Sequence, residues 1–459
     1  MSEDLVVVVS GILGSTLTHH GTAVWEPSAG AVLRAIGTLG RSLHRLRLPD
    51  GIGDDHPDDG VRPVTLMPDI HIVPGLWTPI HGYTVLLHRL NRLGHHQERG
   101  NLLPFAYDWR LSNRHNALRL ARTVEPALER WRAGAPHRRD ARVVFVCHSM
   151  GGLLTRWYVE KLGGAEITRR LVTLGTPYRG AVKALAQLVN GPAPLLGRLA
   201  DDLTLFARSL PSLHQLLPTY ACLTGPHGLT TLAETTVPEL DTRMIADAAA
   251  FHRDLADAEA ARPAGLDTTH AIIGTRQNTP TTAHLTGNAV TTLDTIDGDN
   301  DHGDATVPLT GSIGHDLPQD TNRVHRVTDH HGNLQSNRHT LDRIEEIITS
   351  TTIRRRNPDD LRHLSLDIPE LHRHNTPLTL TVHTPPDLRQ AITVTVTDEH
   401  GAIVWQRQPT PRDHRITTTI PRDTLRPGAH TIRAHGGHAT SPVTPVTAHT
   451  LIWSDTTPQ

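Results

Sequence analysis

Cysteine is almost missing: only Cys147 and Cys222 occur in 459 residues. A disulfide framework is therefore excluded as the source of stability, and both thiols are expected to be reduced and buried. Aromatic residues make up 3% against a hydrophobic share of 37%, so Val, Leu, Ile and Ala have to build the core. Charge of one sign is also lacking. Lys+Arg 45 against Asp+Glu 47 leave a formal charge of -2, without the electrostatic footprint of a nucleic-acid binder. No apolar run is long enough to span a bilayer. The run nearest the N-terminus, Leu5 to Val9, is too short for a signal peptide and has neither a basic head nor a cleavage site, so a cytoplasmic protein is expected. Histidine is abundant, at 33 residues, yet no HExxH and no His/Cys cluster with metal spacing occurs. Most histidines are expected on solvated surface, with no metal and no cofactor.

What is present is organised around Arg142 to Gly152, the stretch RVVFVCHSMGG. Val143 to Val146 form a short apolar run suited to a strand buried on both faces, and Gly151 and Gly152 follow a lone Ser149. That pattern reads as a nucleophile elbow, in which serine occupies a strained strand-to-helix turn and the next backbone N–H points where an oxyanion forms; a glycine-flanked turn without catalytic meaning is the competing reading. The helix that should follow shows Leu153, Leu154, Trp157, Tyr158 and Leu162 at helical spacing, with Gly163-Gly164 as a stop. Cys147 stands where the commoner elbow pattern has its first glycine.

Leu5 to Val9 reads as a second buried strand and leads into SGILGS at 10–15. After the first strand of an α/β sheet, such a turn presents a backbone N–H toward a neighbouring strand end, and Ile12 is the residue assigned to that role. An ordinary βα turn is the competing reading. Residues 24–62 read as an insertion, in which Trp25 either covers a cleft or packs. The loop-and-strand rhythm resumes with IVPG at 72–75. Residues 84–93 read as a helix with Val85, Leu86, Leu90 and Leu93 on one side, and 116–131 as the next. Between them lies PFAYDWRL at 104–111, where Asp108 with Arg110 is expected to pin the end of a strand.

Beyond the elbow, LVTLGTPYRG at 171–180 gives a strand and a loop. Helical patterns at 195–205, 213–217 and 244–258 form an insertion over about 185–268, expected to cap the nucleophile. AIIG at 271–274 returns to the sheet, GDATVP at 303–308 supplies Asp304, and DHHGNL at 329–334 supplies histidine before a helix at 341–348. The acids at 294–301 lack the closing glutamate of an EF-hand. Ser149, then Asp304, then His331 is the chain order of an α/β-hydrolase triad. From about 353 onward, Thr- and Val-rich strands at 378–382, 391–397, 402–406, 415–420, 430–434 and 446–452 suggest a small antiparallel sandwich. The sandwich has no catalytic chemistry of its own, so its default role is structural support or a protein contact.

Taken together, the blocks SGILGS (10–15), AYDWRL (106–111), CHSMGG (147–152), LGTP (174–177), NTPT (278–281), GDATVP (303–308) and the histidine loop (330–334) resemble the lecithin:cholesterol acyltransferase family. The resemblance covers roughly residues 5–348. It implies an α/β-hydrolase fold with a helical cap over 1–352; the all-β, immunoglobulin-like sandwich read from the strand pattern over 353–459 lies outside it. It also implies acyl transfer or ester hydrolysis on a lipid-like ester: Ser149 the nucleophile, Asp304 the orienting acid, His331 the base, and the Ile12 and Met150 N–H groups the oxyanion donors. His330 competes with His331, and the HGxL context favours the latter. The family has glycine at Cys147 and proline at Ser10, and its extracellular members carry disulfides. A retired hydrolase scaffold acting as a binding protein, or a thioesterase or peptidase using the same residues, are the other readings.

Overall fold

The computed structural model describes residues 3–26, 45–68, 82–191, 198–262, 269–314, 317, 322–350, 361–437 and 441–454. The block at 72–75 lies outside them. Six strands form the central sheet: β1 (Leu5–Val9), β2 (Leu102–Phe105), β3 (Val143–His148), β4 (Thr168–Leu174), β5 (Thr269–Gly274) and β6 (Val324–Val327). Their order is β2-β1-β3-β4-β5-β6 with every neighbouring pair parallel. The chain moves outward from β1 to β2 and then crosses to β3, so the strand order reverses between β1 and β3. The carboxyl ends of those two strands flank the crevice where open α/β sheets place their ligand sites.

Continuous apolar runs form the inner strands β1 and β3 because helices cover both faces. Val7, Val9, Phe145 and Cys147 pack on one side with α2 (Asn113–Ala133) and α3 (Met150–Lys161), through Leu120, Val124, Leu128, Leu153 and Leu154. Val6, Val8, Val144 and Val146 pack on the other, with Leu86 and Leu90 of α1 (Thr84–Arg92) and Leu341, Ile344 and Ile348 of α7 (Arg338–Thr349). Val85, expected on the inner side of α1, is instead 39% exposed, because only positions one turn apart share the buried stripe. Residues 24–62 are not purely an insertion. Ser15–His19, Thr22–Trp25 and Val61–Leu66 make a three-stranded sheet, and Trp25, Leu46 and Leu48 join the main core.

The segment expected as a helical cap carries α4 (Val182–Asn190), α5 (Arg198–Arg208) and α6 (Thr242–Ala260). It also holds a hairpin, Leu223–Gly225 with Gly228–Thr230, that joins Thr282–Thr286 and Ala289–Leu293 in a four-stranded sheet. Three-residue strands rich in Thr and Gly leave too short a periodicity to be read in advance. α6 lies along α3: Phe251 stacks on Trp157 with centroids 5.2 Å apart, and Arg156 and Glu259 form a buried ion pair.

The C-terminal region is a β-sandwich. Its strands are β7 (Ser365–Asp367), β8 (Leu371–Arg373), β9 (Leu378–His383), β10 (Ile392–Asp398), β11 (Ile403–Arg407), β12 (Arg415–Ile420), β13 (Gly428–Gly436) and β14 (Val446–Trp453). A three-stranded sheet, β7-β9-β12, faces a five-stranded one, β8-β14-β13-β10-β11, across a core of residues such as Leu380, Val382, Val394, Ile432, Val446 and Ala448. Within these two sheets every pair is antiparallel except β8 with β14, and a short parallel pair, Arg362–His363 with Val443–Thr444, adjoins them.

Candidate active site

Ser149 stands between β3 and α3 with φ 53° and ψ −126°, a conformation that costs a non-glycine residue on the order of 1–3 kcal/mol. Surrounding bonds hold it there. Its N–H donates to the Leu174 carbonyl at 2.8 Å, and its carbonyl accepts from the Thr176 hydroxyl at 2.9 Å. Gly151 is required two positions on: a Cβ there would lie 2.4 Å from the Ser10 carbonyl oxygen. The strain lifts the serine out of the sheet while leaving it 1% exposed.

The structure brings Ser149, Asp304 and His331 together. His331 Nδ1 lies 2.7 Å from Asp304 Oδ2, and its Nε2 lies 2.8 Å from Ser149 Oγ. A carboxylate only accepts, so Nδ1 carries the proton and Nε2 is free to accept from the serine hydroxyl. Asp304 is fixed in turn, because its Oδ1 accepts from the Thr306 and Val307 N–H groups at 3.1 and 2.7 Å. The His331 N–H donates to the Asp304 carbonyl at 2.8 Å, so the two residues are tied through backbone as well as side chain. All three residues are at most 1% exposed. His330, the competing histidine, turns away and donates from Nε2 to the Leu366 carbonyl at 3.0 Å.

A second hydrogen-bonded chain lies alongside, through residues that sequence reasoning missed. Gly11 N–H donates to Tyr83 Oη at 2.8 Å, Tyr83 Oη lies 2.9 Å from His148 Nδ1, and His148 Nε2 lies 3.1 Å from the His331 carbonyl. A carbonyl only accepts, so Nε2 carries the proton, Nδ1 is bare, and the tyrosine hydroxyl donates to it. Burial, with the nearby His331, pushes the His148 pKa down to about 3, so the ring stays neutral. His148 was in view as part of the elbow motif. Tyr83 carries no local signal, since its partners lie 65 and 72 positions away.

Of the two expected oxyanion donors, Met150 is the first residue of α3, so its N–H has no partner within the helix. Ile12 lies in the turn after β1. Among the described residues neither N–H donates to a backbone acceptor outside regular elements, whereas that of neighbouring Gly11 is occupied by Tyr83.

The remaining blocks brace this arrangement. Tyr107 O–H donates to the Ser10 carbonyl at 2.9 Å and Trp109 Nε1 to that of Ser15 at 3.1 Å, fixing the turn after β1. Arg110, wholly buried, pairs with Asp108 at 2.7 Å as expected, but it also reaches Asp59 at 2.7 Å and the Leu46 carbonyl at 3.0 Å. It therefore anchors the segment before the strand at 61–66 and not merely one strand end. Trp25 packs, with its ring 4.9 Å from Trp109. Thr279 accepts from Ala305 N–H at 2.9 Å, supporting the acid loop. Cys147 is free and buried, donates to Thr155, and has its pKa pushed up to about 12 by burial, so a protonated thiol stands beside the serine. Cys222 is likewise free and buried. The acids near 294–301 include the two-residue hairpin Thr295–Ile296 with Asp299–Asn300, and Asp301 accepts from Thr310 N–H.

The mature lipase BlEst2 of Bacillus licheniformis aligns at 12% identity over 75% of this chain and 91% of its own, with a TM-score of 0.33. Its propeptide form aligns at 11% over 97% and 92%, with a TM-score of 0.36. A PKD domain from an M14-like peptidase of Thermoplasmatales archaeon SCGC AB-540-F20 aligns at 12% identity over 20% of this chain and 94% of its own, with a TM-score of 0.15. A search of curated proteins returns no match. The family model for lecithin:cholesterol acyltransferase matches residues 64–251, a stretch that holds the 106–111 block, the elbow serine and most of the cap, and the resemblance read from the motifs is to that family.

Proposed function

We propose that the protein is a serine-dependent acyl-transfer enzyme acting on lipid-like esters, as an O-acyltransferase or a carboxylic ester hydrolase. The observation that carries this reading is the unbroken chain from Ser149 Oγ through His331 to Asp304, buried at the carboxyl edge of the sheet. His331 Nε2 accepts the serine proton as Oγ attacks the ester carbonyl, and Asp304 stabilises the imidazolium that results. The Met150 and Ile12 N–H groups receive the oxyanion, and one such donor is typically worth about a hundredfold or more in rate. Collapse of the tetrahedral intermediate expels the alcohol, which takes its proton back from His331. Water or a second alcohol then attacks the acyl-enzyme with His331 again as base. The match to the lecithin:cholesterol acyltransferase family over 64–251 supports a lipid-like acyl group.

The test is labelling with a fluorophosphonate probe, followed by turnover of p-nitrophenyl esters of graded chain length, thioesters and anilides. Wild type should label and Ser149→Ala should not, with esters turned over fastest. Equal labelling of the two would sink the proposal. Mass spectrometry of the acyl group trapped on Ser149 from a lysate would identify that acyl group and with it the class of substrate.

A further inference from the structure

The C-terminal sandwich grips the histidine loop from both sides of His331. Along β14, Val446 and Ala448 point into the sandwich core while Thr447 and His449 face the loop. Thr447 N–H donates to Asp329 Oδ1 at 3.0 Å, and its carbonyl accepts from Asn333 Nδ2, so one strand residue holds positions two before and two after the histidine. With the Asn333 amide nitrogen committed to Thr447, its Oδ1 accepts from His449 Nε2 at 2.6 Å. His449 Nδ1 is then the acceptor for the Thr431 hydroxyl at 3.1 Å, on neighbouring β13, which fixes the ring. Asp329 is tied back by His330 N–H at 2.9 Å and Asn337 Nδ2 at 2.8 Å. β7 takes the other side, where the Leu366 carbonyl receives His330 Nε2.

The same sandwich edge braces the acid. Gln277 Oε1 accepts from Leu366 N–H and its Nε2 donates to the Leu364 carbonyl, both at 3.1 Å, while Thr279 just beyond holds Ala305 N–H. The histidine loop is therefore held directly by residues of the region 364–449, and the Asp304 loop is held by Gln277 and Thr279, of which Gln277 is bonded to the same region.

We propose that the sandwich is part of the catalytic apparatus, with Asn333 and His449 as positioning residues that set the height of the His331 ring against Ser149. The proposal rests on the reading of Ser149 and His331 as the reacting pair. A histidine loop lacking this grip keeps its contacts to His148 and Asp304 but loses its outer restraint, and a displacement on the order of 1 Å costs roughly a hundredfold in rate.

The test uses the full chain. His449→Leu removes the N–H donor with little change of volume, and His449→Gln supplies another. Expected for His449→Leu are a kcat on p-nitrophenyl esters and a fluorophosphonate labelling rate lowered roughly 10- to 100-fold, a KM within about twofold, and faster hydrogen exchange across 329–335. His449→Gln should recover most of the loss. If His449→Leu does not fold, Asn333→Ala, which deletes the same contact, is measured in its place. Wild-type kcat and exchange in the variant would overturn the proposal. If the wild-type enzyme fails to label, the enzymatic reading falls, and the grip is judged by exchange alone: unchanged protection of 329–335 in the variant would overturn it too.

Discussion

His148 donates from Nε2 to the backbone carbonyl of His331, 3.1 Å away and 183 positions later in the chain. The residue before Ser149 thus holds the main chain of His331, while its other ring nitrogen receives Tyr83 and, through it, the turn that carries Ile12.

Tyr83→Phe deletes the hydroxyl at the centre of this chain and strands two buried groups, the Gly11 N–H and His148 Nδ1. Each unsatisfied group costs about 1–3 kcal/mol. A clear fall in melting temperature is expected, with kcat on a short p-nitrophenyl ester reduced by roughly tenfold or more through the loosened turn. Unchanged thermal stability would show that the hydroxyl is not engaged as described.

Asp304→Asn tests the orientation of the base. Oδ1 is held by two backbone N–H donors, so the substituted amide has to turn its NH2 toward His331 Nδ1. That forces the opposite tautomer and leaves Nε2 protonated toward Ser149. Activity should fall about 10⁴-fold while the fold is retained, as checked by kcat together with circular dichroism.

Gly274, the last residue of β5, lies against the acid. A Cβ there would stand 2.3 Å from Asp304 Cβ, too close for either backbone to accept. Gly274→Ala is expected to displace Asp304 at a cost of about 1–3 kcal/mol, losing activity well before it loses structure. Wild-type kcat in this variant would contradict the packing.

Acid should destabilise the protein from pH 6.5 downward. Burial lowers the pKa of His148 to about 3 and that of His252 to about 4, whereas unfolded histidine titrates near 6.5. Above that value both states are neutral, and below it only the unfolded chain takes up the protons, at about 1.4 kcal/mol per pH unit for each ring. Asp329 acts in the opposite sense. Burial, countered by its hydrogen bonds, raises it to about 6, so its own contribution is present at low pH and is lost as pH rises through 6. Two histidines against one carboxyl leave stability falling between pH 6 and 4. His252→Gln, which keeps a donor for the Gln215 carbonyl, should flatten a melting-temperature series across that range by about one proton.

Much of this was legible in the sequence because the signals are local. Apolar runs at Leu5 to Val9 and Val143 to Val146 mark strands buried on both faces, and the glycines after Ser149 mark a turn that closes only without side chains. All six strands expected in the sandwich are present, with every end within about two residues of its expected place. What stayed hidden joins distant positions. Tyr83 to His148 and Asn333 to His449 are pairs whose members look like ordinary polar residues until the sheet and the sandwich place them face to face. β7 and the hairpin in the cap are too short for any periodicity to show.

The hairpin has a mechanical consequence. Ala283 N–H bonds to the Cys222 carbonyl, Tyr220 O–H to that of Thr281, and the Asn190 side chain grips Val290 by both its N–H and its carbonyl. The described part of the insertion is therefore riveted at Asn190, Tyr220 and Cys222 to the chain that descends from β5 toward Asp304. Prising it outward would tug on the very stretch that seats Asp304.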